Sequence, residues 1–176
     1  IKDKNLSKKL SSDVDDMEKM LNEYLQFAST GAKDKTETFD ISELILKLIN
    51  NYSNPNIIQN FKGEIYFNGR KNLIARCINN LIENSLKYAK KVEISMEKQK
   101  DNLMIMVSDD GPGVPEKEHE NIIKPFYKID KSRSESKSSV GLGLSIASDI
   151  SRSHGGDIKF AKSKFGGLEV SISLPF

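Results

Sequence analysis

Asn80, Asn84 and Lys87, within the stretch Asn79-Asn80-Leu81-Ile82-Glu83-Asn84-Ser85-Leu86-Lys87-Tyr88, have types and spacing that suit chemistry. At about 100° per residue on a helix the three fall within about one-sixth of the circumference, with Tyr88 beside them. Ile78, Leu81, Ile82 and Ala89 turn towards the opposite side. A surface helix ordinarily carries Lys and Glu outside its apolar stripe, so amides at i and i+4 followed by a lysine make a different surface. An amide oxygen can ligate a hard cation such as Mg²⁺, and a lysine can neutralise phosphates that the cation bridges. Taken alone, these residues also fit a solvated polar face.

Two glycine-bearing stretches add to this. The apolar run Leu103 to Val107 empties into Ser108-Asp109-Asp110-Gly111-Pro112-Gly113-Val114-Pro115, a rigid turn whose backbone can approach a ligand closely. A carboxylate there can accept hydrogen bonds from an exocyclic amine, as on adenine. Later, Val140-Gly141-Leu142-Gly143-Leu144-Ser145-Ile146 opens a helix through Ser153. Glycines at a helix N-terminus expose amide N–H groups and the positive end of the dipole, which suits an anion. Between them lie Lys124-Pro125-Phe126-Tyr127-Lys128 and then Asp130 to Ser139, rich in Ser and charge, a loop of the length usual for lids. His119, between two glutamates, reads as an exposed loop residue, and His154, beside two glycines, as a cap or packed ring.

Other elements must position these groups. Apolar residues at Leu10, Val14, Met17, Leu21, Tyr24 and Ala28 follow a heptad seam, which requires a partner helix. The abrupt start of this pattern marks the chain as a fragment. Gly31 to Thr38 reads as a polar break. Asp40-Ile41-Ser42-Glu43 starts a helix running to about Tyr52, with Phe39 and Leu44 as a hydrophobic staple. Ile57 to Asn60 and Glu64 to Phe67 are short strand candidates, and the amide-bearing helix begins near Gly69. Val92, Ile94 and Met96 alternate as a strand, Leu103 to Val107 reads as a strand covered on both faces, and Asp157 to Ala161 and Leu168 to Leu174 are further strands.

The bulk composition is restrictive. A formal charge of +2 over 176 residues, with basic and acidic residues interspersed, gives no electrostatic case for nucleic acid. No apolar run approaches a membrane span. One cysteine, Cys77, excludes a disulfide framework and a cysteine-based zinc site, and suits a reducing, cytoplasmic setting.

In order, the chain presents Asn80-x-x-x-Asn84-x-x-Lys87-Tyr88, Asp109-x-Gly111-x-Gly113, Pro125-Phe126-Tyr127 and Gly141-Leu142-Gly143-Leu144. This resembles the N, G1, F and G2 boxes of the catalytic, ATP-binding domain of bacterial sensor histidine kinases. His154-Gly155-Gly156 and Leu174-Pro175-Phe176 look like the close of that domain, and the segment before Gly31 resembles the second helix of the dimerisation and phosphotransfer hairpin, closest to osmosensor-type kinases. The resemblance implies an α+β fold, a two-layer α/β sandwich of the Bergerat kind with a mixed sheet covered on one face by helices, preceded by a long N-terminal helix. Residues 1–30 would be the hairpin helix, 31–38 a link and 39–176 the kinase domain.

The resemblance also implies ATP and Mg²⁺. Asn84 would ligate the metal with Asn80 in support, Asn80 and Lys87 being the catalytic pair. Lys87 and Tyr88 would contact phosphates, and Asp109 would hold the adenine amino group beside Gly111 and Gly113. The Gly141-Leu142-Gly143-Leu144 run would supply the lid hinge and phosphate-facing amides, with Lys128 and Arg133 as lid cations. Implied partners are a phosphoacceptor hairpin of the same or a sister chain and a response-regulator receiver domain, in a homodimer whose parent is a candidate inner-membrane sensor. Two departures stand out. Ser139 occupies a place where the family often has glycine, and no acceptor histidine with a following acidic residue lies in a first hairpin helix. The rivals are an ATPase of the gyrase, Hsp90 or MutL kind and a degenerate, non-catalytic signalling module. The ATPases place a glutamate base where this chain has Asn80, and an amide cannot take the proton.

Overall fold

The computed structural model describes residues 34–54, 56–129 and 141–176, with positions 10, 11, 14, 15, 17, 18, 21, 22 and 25 of the N-terminal segment. Those N-terminal positions are all helical (α1), and Leu10, Val14, Met17, Leu21 and Leu25 are exposed. Tyr24 and Ala28 of the expected seam lie outside the described residues, as do Asp130 to Val140.

Side-chain alternation and one helical stripe decide how the rest is layered. Strand β1 (Thr36–Asp40) leads into α2 (Ile41–Asn50), where Asp40 acts as the expected N-cap: its Oδ1 accepts from Ser42 N at 2.9 Å. Phe39 and Leu44, the expected staple, are both buried. Thr36 to Thr38, read from sequence as part of a polar link, are strand because they pair antiparallel with β3 (Tyr66–Arg70). That pairing, Glu37 opposite Gly69 and Thr36 opposite Arg70, keeps the chain extended through Arg70. So α3 (Lys71–Tyr88) starts two residues later than expected, and α2 ends two residues short of Tyr52.

A five-stranded sheet has the order β2-β4-β5-β7-β6, from β2 (Ile57–Asn60), β4 (Val92–Lys98), β5 (Asn102–Asp109), β6 (Asp157–Lys162) and β7 (Leu168–Pro175). β2 and β4 run parallel and the other pairs antiparallel, so the sheet is mixed. The register aligns Ile94 with Val107, Val107 with Val170, and Ile105 with Ile172, all on one face. Helices cover that face: α3 lies over β4 and β5, α5 (Gly143–Ser153) over β6 and β7, and α3 packs along α5. This is the two-layer sandwich the sequence implied. β5 is not covered on both faces, however. Leu103, Ile105 and Val107 are fully buried while Met104 and Met106 are only partly so, the methionines filling an uncovered face that their flexible side chains tolerate.

The orientation of α3 follows from its burial. Leu73, Ile74, Cys77, Ile78, Leu81, Ile82 and Ser85 face the core. Burying one such leucine or isoleucine is worth about 1.5–3 kcal/mol, so any rotation of the helix that brought Asn80 and Asn84 inward would forfeit several times that. The amide face is therefore held outward by the apolar one.

Candidate functional site

Two separate stretches converge on the outward side of α3. At its C-terminal end the turn after β5 approaches so closely that a Cβ on Gly111 would lie 3.2 Å from Tyr88 O and 3.0 Å from Asp109 Oδ1. About 12 Å back along the helix, from the rise of about 1.5 Å per residue, the first residue of α5 meets Asn80. A Cβ on Gly143 would be 3.8 Å from Asn80 O and 3.9 Å from its Oδ1. Asn84 and Lys87, both partly buried, lie on the helix between these two approaches. Asn80, Asn84, Lys87, Tyr88, Asp109, Gly111 and Gly143 are thus brought together.

Asp109 is 3% exposed, at the end of β5. Its Oδ1 accepts from Gly111 N at 2.9 Å and Leu168 N at 3.1 Å, while Oδ2 accepts nothing among the described residues. The carboxylate therefore presents one oxygen. Its neighbour Asp110 serves the turn instead. Asp110 Oδ1 accepts from Lys90 N and Lys91 N at 2.8 and 2.9 Å, and these bonds hold its carboxyl below the usual range. Gly113 has a φ of 71° and packs against the β6–β7 turn, with the Gly167 carbonyl 3.4 Å from where its Cβ would stand. Only glycine adopts that conformation without strain.

At the other end, Asn80 Nδ2 is buried and has no hydrogen-bond partner among the described residues. A buried amide donor left unpaired costs about 1–3 kcal/mol, which a bound acceptor would recover. α5 begins beside it. Its preceding residue, Leu142, contributes no side-chain cap, so the first-turn N–H groups carry none. Leu142 itself is buried in the apolar cluster and Leu144 packs against it, so any contribution of these two to a ligand comes from the main chain. Gly141 has a φ of 80°, with Tyr127 O and Phe126 C 3.1 and 3.2 Å from an added Cβ. Opposite, Phe126 has a φ of 65°, and its N–H donates to Gly141 O at 3.0 Å. That bond joins the two ends of the segment between them. Lys128 is partly buried near that join, and Arg133 lies outside the described residues. Tyr88 is half-exposed, with Lys87 Nζ 5.0 Å from its ring centroid.

The histidines have structural environments. His154 Nδ1–H donates to Ile150 O at 2.8 Å and Nε2 accepts from Arg70 N at 3.2 Å, the packed ring expected from sequence. His119 is not an exposed loop residue. It lies in the one-turn helix α4 (His119–Ile122), partly buried, with Nε2 3.2 Å from Val114 O and its ring 5.7 Å from that of Phe160, because the turn folds it back over β6. Sequence reasoning passed over Gly167, Leu168, Asp34 and Tyr52. The doublet Gly166-Gly167 before a strand was a visible signal, whereas no local pattern marked Asp34 or Tyr52.

A mixed sheet with helices on one face, an acidic turn at the end of its central strand and a glycine-opened helix beside an amide-bearing one define a two-layer α/β sandwich with these groups gathered along one helix. The family described as histidine kinase-, DNA gyrase B-, and HSP90-like ATPase matches residues 69–176. Sensor histidine kinase GtrS of Pseudomonas aeruginosa is 31% identical over 177 residues, an alignment covering 99% of this chain and 37% of that protein. Sensor histidine kinase CpxA of Escherichia coli is 29% identical over 177 residues, covering 95% and 39%. Full-length ShkA, solved in complex with AMPPNP, shares the fold at a TM-score of 0.75 and 22% identity, covering 90% of this chain and 35% of that one. Mycobacterial sensor histidine kinase MprB does so at 0.69 and 20%, covering 80% and 97%.

The chain belongs to the histidine kinase-, gyrase B- and HSP90-like ATPase family, and its curated relatives are sensor histidine kinases. It spans 37% and 39% of the length of the two relatives described. An ATP-binding domain of this family uses ATP.

Proposed function

We propose that the chain is the part of a sensor histidine kinase that binds Mg²⁺-ATP and delivers its γ-phosphate to a histidine on a partner helix, for relay to an aspartate of a response regulator. The observation that carries this is the carboxylate of Asp109, whose turn abuts α3 at Tyr88, and the unpaired amide of Asn80, about 12 Å back from Tyr88 along that helix by helical rise. That span suits the base at one end of a nucleotide and the phosphates at the other.

In this reading Asp109 Oδ2 accepts the adenine 6-amino group and Asn80 Nδ2 donates to a phosphate oxygen. Lys87 and the first amides of α5 offset charge on the phosphates. Tyr88 packs beside Lys87, and Lys128 and Arg133 add cations from the lid. Asn84 supplies a side-chain oxygen for Mg²⁺. Among the described residues no group of three His, Cys, Asp or Glu side chains gathers, which fits a cation held by one amide and the phosphates rather than by a carboxylate cage. When bound, the cation neutralises charge on the phosphates. Phosphoryl transfer asks the protein mainly for positioning and electrostatic support, which is what these residues provide. Asn80 has no carboxylate to take a proton from water, which favours transfer to an incoming nucleophile over hydrolysis. The acceptor lies elsewhere, since His154 is packed between Ile150 and Arg70, and His119 faces Val114 and Phe160. A homodimer joined through the exposed seam of α1 would bring the acceptor helix within reach.

Calorimetry on Asn84→Ala and Asp109→Ala tests the assignment. Both variants are expected to stay folded and to lose measurable Mg²⁺-ATP binding, and unchanged affinity in either one refutes it. The unmodified chain is further expected to phosphorylate a supplied acceptor hairpin but not itself.

A further inference from the structure

We infer that the turn between β6 and β7 sets the purine specificity of the site, with Gly167 and the Leu168 N–H as positioning groups that hold Asp109 ready for a 6-amino group. This rests on the nucleotide reading above.

Oδ1 of Asp109 is satisfied from two sides: by Gly111 N at 2.9 Å, two residues on, and by Leu168 N at 3.1 Å, from another strand. The main chain of Asp109 is tied to the same turn, its carbonyl accepting from Gly167 N at 3.2 Å. Rotating the carboxylate would break both side-chain bonds, so Oδ2 is the oxygen that faces a base. An ionised carboxylate oxygen only accepts: it suits a 6-amino group, gains nothing from a bare 6-position and repels a 6-oxo group.

Gly167 permits this arrangement. A Cβ built there would overlap Asp109 Oδ1 and stand 2.5 Å from both Asp109 O and Gly111 N. Those three atoms are the carboxylate, its own backbone and one of its donors, so a methyl group must displace the carboxylate or the turn. The turn resists displacement. Lys164 Nζ pairs with Glu93 at 2.6 Å, and Asn60 Nδ2 donates to the same carboxylate at 3.2 Å. Lys91 Nζ stands 4.0 Å from the centre of the Phe165 ring. Within the turn, Ser163 N donates to Gly167 O at 3.0 Å and Gly166 N to Ser163 O at 2.9 Å. The carboxylate is the part left to move.

The test compares ATP with purine riboside triphosphate, which lacks only the 6-amino group, by calorimetry on the unmodified chain, Gly167→Ala, and a chain whose Leu168 N–H is replaced by an ester oxygen using leucic acid. The ester removes one donor and adds no atom, so it decides the matter if the alanine variant fails to fold. The unmodified chain is expected to prefer ATP by about ten- to a hundredfold, the value of one hydrogen bond to a charged group. In folded Gly167→Ala and in the ester chain the preference is expected to fall to about threefold or less, with the loss on ATP and little change for the analogue. Equal weakening of both nucleotides, or a retained preference, overturns the specificity role while leaving the kinase reading intact. No ATP binding by the unmodified chain overturns the kinase reading and this inference with it.

Discussion

Replacing Asp34 with alanine is expected to destabilise the helix that carries the site, although Asp34 precedes it by almost forty residues. Arg70, the residue before α3, provides no side-chain cap. Asp34 does so from a distance: its Oδ2 accepts from Leu73 N at 2.9 Å and its Oδ1 from Asn72 Nδ2 at 2.8 Å. Loss of an N-cap costs about 1 kcal/mol. Loss of a carboxylate at a helix N-terminus costs about 0.3–1 kcal/mol more in a partly exposed setting. Together these give about 1.3–2 kcal/mol, and for a chain of this length about 3–8 °C in Tm. Asp34→Asn retains an acceptor without the charge and should fall by about half as much. Thermal unfolding followed by far-UV circular dichroism reads both, and amide exchange at Leu73 reads the local effect. A loss below about 1 °C in the alanine variant, or an asparagine variant as unstable as alanine, would refute the capping argument. Nucleotide affinity should not change, because Asn84 lies about 16 Å further along the helix.

Two further outcomes follow from buried groups. Burial holds the His154 imidazole below its ordinary range, with Nε2 occupied by the Arg70 N–H, the Arg70 charge opposing protonation, and the Ile150 carbonyl and Asp34 acting the other way. The unfolded chain therefore binds more protons between the folded value and about 6.5. Stability from this group is complete above that range and lost as pH falls through the folded value, so Tm should drop more steeply on acidification than in His154→Gln. Equal slopes would count against it. Burial also pushes the Cys77 thiol up to about 12, and its Sγ donates to Ala147 O at 3.5 Å. An aromatic disulfide reagent near pH 8 should label the native chain far more slowly than the urea-unfolded one, and comparable rates would place the thiol at the surface.

Legibility in the sequence followed the range of the interaction involved. The amide face of α3 was readable because a 3.6-residue period and a stripe of Leu and Ile fix it locally. The Asp40 cap was readable for the same reason, since donor and acceptor are two residues apart. β1 was missed because Thr36 to Thr38 have no hydrophobic alternation and are strand only through pairing with β3. The second donor to Asp109 was missed because Leu168 is 59 residues away, and its contribution is a main-chain N–H that no residue type announces. For β5 the apolar run misled: Met104 and Met106 looked like core, but the register turns them to the uncovered face. His119 misled in the opposite sense, its charged neighbours concealing a ring packed on Phe160.

These contacts explain why the two ends of the proposed site keep a fixed spacing along α3. Its first turn is held by Asp34 and, through Arg70, by the end of α5, where Arg70 Nη2 donates to Ser153 O at 3.0 Å and to Ser153 Oγ at 2.6 Å. Its middle is joined to α5 by the Cys77 thiol, and Asn79 Oδ1 accepts from Tyr52 OH at 2.6 Å. Its last residue abuts the Asp109 turn. A helix held at both ends and in the middle cannot slide by a turn of about 5.4 Å without breaking several of these at once. The spacing from Asn80 to Asp109 is therefore a property of the packed core rather than of the loops.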